Sequence, residues 1–374
     1  MVEAYERVWP DVAVPPGETL AETLEARVMT QAELARRMGR PAQAINEIVK
    51  GGKALTAETA LQLEKVLGTP AHVWTRLEAD YRFVQARIAQ REELARQVKT
   101  ARAYPYVAMA KHGWVERARE PVKKVEELQR FFGVASLRQV PKAVAAAFRR
   151  SDKVNASAEA LAAWLRQGER EAEEVSTGTF DAQGLRQRLP ELRGMTLQDP
   201  ESFEPRLRKL LAEVGVALVI VPHLPRTGAN GATRWLRGKA VLQMSLRYRW
   251  EDIFWFSLFH ELGHVVLHPR GEVFVERDRS PGGQREQEAN RFATDQLIPR
   301  SAYATFIAKG RRGRISVAAV RHFALEQGIA PSIVVGRLHH DRLVPFSHLN
   351  DLRRRLVWAD PEETEPKKED DGTA

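Results

Sequence analysis

Apolar residues recur every three or four positions over much of the first 200 residues, and this pattern changes near residue 216. Spacings of three and four are typical of amphipathic helices, whereas the continuous run 216–221 (VALVIV) is typical of a buried strand. A second such run, 240–246 (AVLQMSL), follows a segment with Gly and Pro at 222–238. Two or three strands are therefore predicted ahead of a strongly apolar helix at 250–267.

Five short helical patterns, separated by glycine and proline, occupy residues 15–67. Thr30 can cap the second helix, with Glu33 as its capping-box partner, and Gly39 ends that helix. Pro41 suits the first turn of the next helix, where a missing N–H costs nothing. The side chains predicted to face the core of this domain are Leu20, Leu24, Leu34, Ala35, Met38, Ile45 and Ile48.

A short helix, a glycine turn and a third helix with exposed amide side chains predict a helix-turn-helix whose third helix enters the major groove of DNA. Gln43 and Asn46 can each pair with the edge of an adenine through two hydrogen bonds. Pattern alone also permits an ordinary helical bundle with polar outer faces. Besides the two amides, the residues expected at the DNA are Arg40, Ala44, Lys50 and Lys53, of which the cationic ones suit phosphate contacts.

The helix at 250–267 contains His260, Glu261 and His264 in a frame of Phe, Leu and Val. Positions i and i+4 lie one turn apart on the same helix face, so the two imidazoles can bind one metal ion. Glu261 can then take a proton from metal-bound water and pass it to a leaving nitrogen. Two histidines on a helix surface are the alternative, which the apolar frame disfavours, because metal sites need a dry wall.

An open catalytic zinc site needs a third protein ligand. The chain has no cysteine, so this ligand must be His, Asp or Glu. Glu286 is the predicted ligand, and Asn290, one turn later, is placed to orient a ligand. Glu288 is a rival that points the opposite way on the helix. His268 is disfavoured because it lies roughly 12 Å from His260 along a straight helix. The side chains left open for stabilising an oxyanion are Tyr303, His322, His339, His340 and His348.

The run TQAELARRMGRPAQAINEI at 30–48, with KGGKALTAETALQLEKVLGTPAHVW after it, resembles the HigA-type branch of the XRE helix-turn-helix family. The resemblance covers about residues 8–85. It implies sequence-specific binding to an operator in double-stranded DNA, commonly as a homodimer. A long helix after residue 74 is expected to leave this domain.

The blocks HELGHVVLH and EQEANRFATDQLIP resemble the ImmA/IrrE family of gluzincin-like metallopeptidases. This resemblance extends over about residues 216–358. It implies that His260, His264 and Glu286 bind Zn²⁺, with Mn²⁺ as an alternative metal, and that Glu261 is the general base. It also implies a protein substrate, such as a helix-turn-helix repressor, cleaved in stress or toxin–antitoxin control.

The distribution of charge along the chain suggests a polyanionic partner and distinguishes the last residues from the rest. The net charge is +9, yet residues 359–374 carry seven acidic residues against two lysines, so this end carries −5 and the remainder +14. The positive charge of the remainder favours binding to polyanions such as DNA, although a solvated surface rich in arginine would give the same net charge. The acidic end is predicted to be disordered.

We therefore predict an α+β, multidomain protein. Its parts are an all-α helix-turn-helix domain at 8–85, a helical connector at 86–200, a gluzincin-like domain with a small sheet and an active-site helix at 201–358, and the tail at 359–374. With no signal peptide or membrane span recognised, a cytoplasmic regulator with a peptidase domain is expected. The alternative is a non-catalytic antitoxin or repressor whose second domain is a metal or protein sensor. A substrate peptide is expected to add to an edge strand at 231–235.

Overall fold

A computed structural model of the chain describes residues 10–140, 157–270, 273–277, 283–310 and 315–356. They belong to two compact units, Met1–Val98 and Lys99–Ala374. Helices dominate both units, and the second also holds a four-stranded sheet, which confirms the predicted α+β, multidomain class. The acidic tail predicted at 359–374 lies outside the described residues. Nowhere in the described parts is a helix long and apolar enough to cross a membrane.

The first unit is helical. Its helices are α1 (Pro16–Ala26), α2 (Gln31–Met38), α3 (Ala42–Val49), α4 (Ala57–Leu67) and all but the last three residues of α5 (Ala71–Ala101). Five short helices were predicted within 15–67, but the structure has four. The chain leaves the helical conformation after α3, where Gly51 has a φ of 71°, in the left-handed region. The long helix expected after residue 74 is confirmed as α5, which has 31 residues.

Capping fixes the turn between α2 and α3. The Thr30 hydroxyl accepts a hydrogen bond of 3.1 Å from the Glu33 backbone N–H, and Gly39 ends α2 with a φ of 67°. The Glu33 carboxylate binds Arg36 and Arg37 instead of completing a capping box. Pro41 is the N-cap of α3, one residue before its first turn. All seven side chains predicted for the core of this domain are buried, so these helices share one apolar core.

The second unit begins with helices and continues into the sheet. The helices before the sheet are α6 (Tyr106–Lys111), α7 (Pro121–Phe132), α8 (Ala158–Glu174), α9 (Ala182–Gly194) and α10 (Pro200–Glu213). The strands are β1 (Val216–Ile220), β2 (Ala229–Leu236), β3 (Lys239–Met244) and β4 (Phe274–Arg277). The remaining helices are α11 (Glu251–Leu267), α12 (Gln284–Leu297), α13 (Arg300–Gly310), α14 (Val317–Gln327) and α15 (Pro331–His340).

The strand order β1-β3-β2-β4 corrects the expected substrate edge. β3 pairs with β1 in parallel and with β2 antiparallel, and β2 also pairs with β4. Residues 231–233 therefore lie between two strands, whereas residues 234 and 235 pair only with β3 among the described residues. Residues 273–277 (VFVER), whose strand was not predicted, provide the edge instead.

Helix α11 is buried nearly all round, as its apolar composition requires. It packs against β2 and β3 on one side and against α12 and α15 on others. Its first residue, Glu251, is fully buried and forms an ion pair with Arg354, while Asp252 pairs with Arg353 at 2.9 Å. This packing places the middle of α11, with its two histidines, in the interior of the unit.

Candidate metal centre

His260 and His264 lie one turn apart on α11 and face the carboxylate of Glu286 on α12. Their Nε2 atoms are 3.0 Å apart. The carboxylate of Glu286 lies 3.2 Å from Nε2 of His260 and 3.5 Å from Nε2 of His264. Two nitrogens on one tetrahedral zinc would be about 3.3 Å apart, given Zn–N bonds of about 2.05 Å. The convergence of these ligand atoms, all within 4.8 Å of one another, therefore fits a single metal ion.

Glu261 is held beside this cluster by β2. Its carboxylate is fully buried and accepts a hydrogen bond of 2.5 Å from the Thr233 hydroxyl. Gly231 leaves the space it occupies, because a Cβ there would lie 2.6 Å from Oε1 of Glu261. Burial raises the pKa of Glu261 to about 8, although the nearby His260 opposes the shift. A carboxyl group with a pKa near neutrality is well suited to proton transfer.

Acidic neighbours set the charge of the cluster. Burial alone would lower the pKa of His260, but Glu286, Glu276 and Glu261 outweigh it and raise that pKa to about 9. The same imidazoles hold the pKa of Glu286 at about 2 in spite of its burial. Burial lowers the pKa of His264. The site therefore offers an ionised carboxylate and strong negative potential, which favour a cation.

Outer contacts orient both imidazoles. The Oδ1 atom of Asn290, the predicted orienting residue, lies 2.9 Å from Nδ1 of His260. Nδ1 of His264 lies 2.9 Å from Nδ1 of His268, whose Nε2 lies 3.1 Å from Glu288. His268 and Glu288, considered above as alternative ligands, are thus placed one layer outside the three converging side chains.

Several side chains that shape the centre were missed by sequence reasoning. They include Thr233 and Gly231 next to Glu261, and Phe274, whose ring stacks on His264 with centroids 4.1 Å apart. The β-branched and aromatic run VFV at 273–275 could have revealed the strand that carries Phe274. Thr233 gives no comparable local signal, because its role depends on sheet pairing.

The side chains considered for stabilising an oxyanion have different surroundings in the structure. His322 lies near Glu326 at 3.5 Å, and His339 binds the backbone oxygen of His348. Tyr303 packs beneath the guanidinium of Arg337. His340 alone of the five lines the cavity described below.

In the first unit, the amides of α3 are held by neighbouring side chains. Gln43 is exposed and donates from Nε2 to Glu47 at 2.9 Å. Asn46 is half-buried and donates from Nδ2 to Gln31 at 3.2 Å, and Ala44 is half-buried on the same helix. The two amides therefore lie on α3 with their orientation fixed by local hydrogen bonds.

The cationic side chains expected at the DNA differ in whether other side chains of the domain already bind them. Arg40 is tied to Gln62 by a hydrogen bond of 2.5 Å and to Glu58 by an ion pair of 3.3 Å. Lys50 and Lys53 are exposed in the loop after α3. The two lysines are thus sterically accessible to a phosphate, whereas Arg40 would first have to leave its partners.

Two family models match separate parts of the chain. Residues 20–74 match the helix-turn-helix model, and residues 251–323 match the peptidase M78 model, described as the IrrE N-terminal-like domain. The chain carries a helix-turn-helix DNA-binding domain and an IrrE N-terminal-like domain. Both resemblances inferred from sequence are thereby confirmed.

Solved structures similar to the chain cover less than a quarter of it. An addiction module antidote protein of a HigA family from Coxiella burnetii is 30% identical, with 23% of this chain and 94% of that chain covered and a TM-score of 0.21. The Pseudomonas aeruginosa antitoxin HigA, determined with the higBA promoter, is 29% identical, with 22% and 90% covered and a TM-score of 0.21. No match was found among curated proteins.

The IrrE-like domain also contains a cavity of about 250 Å³ beside the cluster. One wall is Phe256, whose ring centroid lies 6.3 Å from that of His260, and Glu276 of the edge strand β4 forms another part of the lining. The apolar side chains of the lining are Ile253, Phe256, Leu297, Ile298 and Ile333. A space of this size and composition suits a large apolar side chain.

Proposed function

We propose that this protein is a DNA-binding transcriptional regulator whose IrrE-like domain is a zinc-dependent metalloendopeptidase acting in regulatory proteolysis. The observation that carries the proposal is the convergence of His260, His264 and Glu286 next to the buried carboxylate of Glu261. Three ligands leave a fourth position for water or substrate, as catalytic zinc sites require. The same donor set also accepts manganese.

The residues of the chain divide the work of hydrolysis. His260, His264 and Glu286 would hold the metal, which when bound polarises the scissile carbonyl and acidifies a water molecule. Glu261 accepts the proton of that water and transfers it to the leaving nitrogen. The hydrogen bond from Thr233 keeps the carboxylate in place during both transfers.

The expected substrate is an extended segment of a protein, such as a helix-turn-helix repressor. β4 is a strand edge next to the centre, and a peptide can extend a sheet by backbone hydrogen bonds. The cavity beside His260 would receive a large apolar side chain of that peptide. Regulation of stress or toxin–antitoxin genes would place both partners, operator and substrate, in the cytoplasm.

Metal content and cleavage of Glu261→Gln, measured beside wild type, test the peptidase function. Both proteins are analysed for zinc and incubated with purified helix-turn-helix repressors, whose fragments are identified by mass spectrometry. We expect the variant to retain zinc and to lose cleavage, while the matched control Glu326→Gln, on the exposed surface of α14, cleaves normally. Equal behaviour of Glu261→Gln and wild type would favour the metal-sensor alternative.

We propose that α3 reads an operator in double-stranded DNA and that the protein binds it as a homodimer. The support is the family match of residues 20–74 and the placement of Gln43 and Asn46 on the third helix. The double variant Gln43→Ala with Asn46→Ala should weaken operator binding more than binding to random DNA, in titrations at fixed salt. Equal weakening on all sequences would contradict base reading by these two amides.

A further inference from the structure

A chain of side-chain contacts leads from the outside of the IrrE-like domain to one of the proposed metal ligands. Gln284 donates to Oε1 of Glu288 at 2.9 Å, and Oε2 of Glu288 lies 3.1 Å from Nε2 of His268. Nδ1 of His268 then lies 2.9 Å from Nδ1 of His264. The His268 side chain is 2% exposed, whereas that of Glu288 is 38% exposed. A buried imidazole therefore connects a carboxylate at the surface to the centre.

The direction of the hydrogen bonds in this chain follows from elementary chemistry. An imidazole nitrogen that binds a cation must offer its lone pair, so a neutral His264 bound through Nε2 carries its proton on Nδ1. That N–H can only be satisfied if Nδ1 of His268 accepts it. Nδ1 of His268 is then unprotonated, the proton of this ring sits on Nε2, and Nε2–H donates to the carboxylate of Glu288. Only this arrangement satisfies every contact with neutral rings.

We propose that Glu288, acting through His268, selects the tautomer of His264 that can bind a metal. Glu288 and His268 are thus positioning residues of the centre. The tautomer of His260 is selected by a different residue, because Oδ1 of Asn290 can accept a hydrogen bond from its Nδ1–H. This inference rests on the metal site of the proposed function and requires no peptide cleavage.

The decisive variants change what residue 288 offers to His268. Glu288→Gln keeps an acceptor oxygen, so the zinc affinity should stay within about threefold of wild type. Glu288→Lys offers only donors, which favour a proton on Nδ1 of His268, opposite the N–H of His264. We expect it to lower the zinc affinity by 10- to 100-fold, the range typical of lost partners of metal-bound histidines. Gln287→Lys, on the exposed neighbouring position, also introduces a lysine, although it changes the charge by +1 instead of +2, and it should cost much less.

Zinc affinity is measured by competition with a chromophoric chelator, and the proton positions by ¹⁵N NMR of zinc-loaded full-length protein labelled at histidine. The wild type should show His268 protonated at Nε2 and His264 at Nδ1. A wild-type His268 protonated at Nδ1, or a Glu288→Lys variant that binds zinc no more weakly than Gln287→Lys, would overturn the inference. Failure of wild type to bind zinc at all would instead refute the proposed metal site.

Discussion

Replacing Gly263 by alanine tests how closely α11 and α12 must approach for the centre to form. Gly263 lies between Glu261 and His264 and faces α12. A Cβ at this position would be 3.1 Å from Cδ1 of Phe292 and 3.2 Å from the backbone Cα of Ala289. Carbon atoms in ordinary contact are about 3.7 Å apart. The Phe292 ring can turn away but the backbone cannot, so α12 has to retreat by about 0.5 Å.

Two opposing effects decide the stability of Gly263→Ala. Alanine favours a helix interior over glycine by about 1 kcal/mol, whereas overpacking a close contact costs about 1 to 3 kcal/mol. We therefore expect the metal-free variant to be less stable by about 1 kcal/mol, from the difference of these terms. Metal binding should suffer separately, because Glu286 is carried by the same helix as Ala289. Ligand geometry must be held within about 0.5 Å, so we expect zinc to bind about tenfold more weakly.

The assay is zinc competition with a chelator, together with urea unfolding in the presence of EDTA. Gly194→Ala is the matched control, because Gly194 is the last residue of α9 and a Cβ there would meet no atom within 4 Å. The control should bind zinc like wild type and unfold at equal or higher urea concentration. If Gly263→Ala binds zinc as tightly as Gly194→Ala, the argument from helix approach is wrong.

Three further changes probe the base, the anchor of α11 and the buried charge. Gly231→Ala should keep the zinc affinity within about threefold of wild type but lower the cleavage rate by about 100-fold, because the new Cβ displaces the carboxylate of Glu261. A normal rate of single-turnover cleavage would contradict this. Arg354→Ala should lower the free energy of unfolding by about 3 kcal/mol, since it removes the cationic partner of the fully buried Glu251 and leaves this carboxylate with the hydroxyl of Ser332. A loss below about 1 kcal/mol in urea unfolding would refute that role. In metal-free protein the pKa of Glu261 rises from its ordinary 4.5 to about 8, so its contribution to stability is complete below pH 4.5 and is lost as the pH rises through 8. Glu261→Gln should therefore gain stability relative to wild type between these values, and parallel unfolding curves of the two proteins across this pH range would contradict the burial argument.

The sequence was most informative where a local period or a cap determines the structure. The cap at Thr30, the end at Gly39 and the buried faces of the first three helices follow from spacings within one helix. The phase of α12 likewise distinguishes Glu286 from Glu288, since residues two apart point to opposite sides of a helix. In the structure, Glu286 faces the histidine pair and Glu288 faces His268.

Features that depend on contacts between distant segments could not be read in this way. The segment 231–235 has the composition of a strand, but only the pairing of residues 231–233 with β4 places this part inside the sheet. The distance estimated for His268 assumed a straight helix. In fact α11 ends at Leu267, and His268 turns into extended conformation with a φ of −110° and a ψ of 158°. Its ring still meets that of His264, its neighbour four residues earlier, but its second contact, with Glu288 on α12, depends on the packing of two helices.

The electrostatics of the centre follow from where α11 is buried. A helix surrounded by sheet and helices gives its polar side chains no water, so each must find a partner within the domain. His260 and His264 find Asn290 and His268 through Nδ1, which leaves both Nε2 atoms directed at Glu286. With Glu276 adding negative potential beside them, a shared cation would compensate these buried groups. The same burial that stabilises the fold thus supports the proposed metal site at this point of α11.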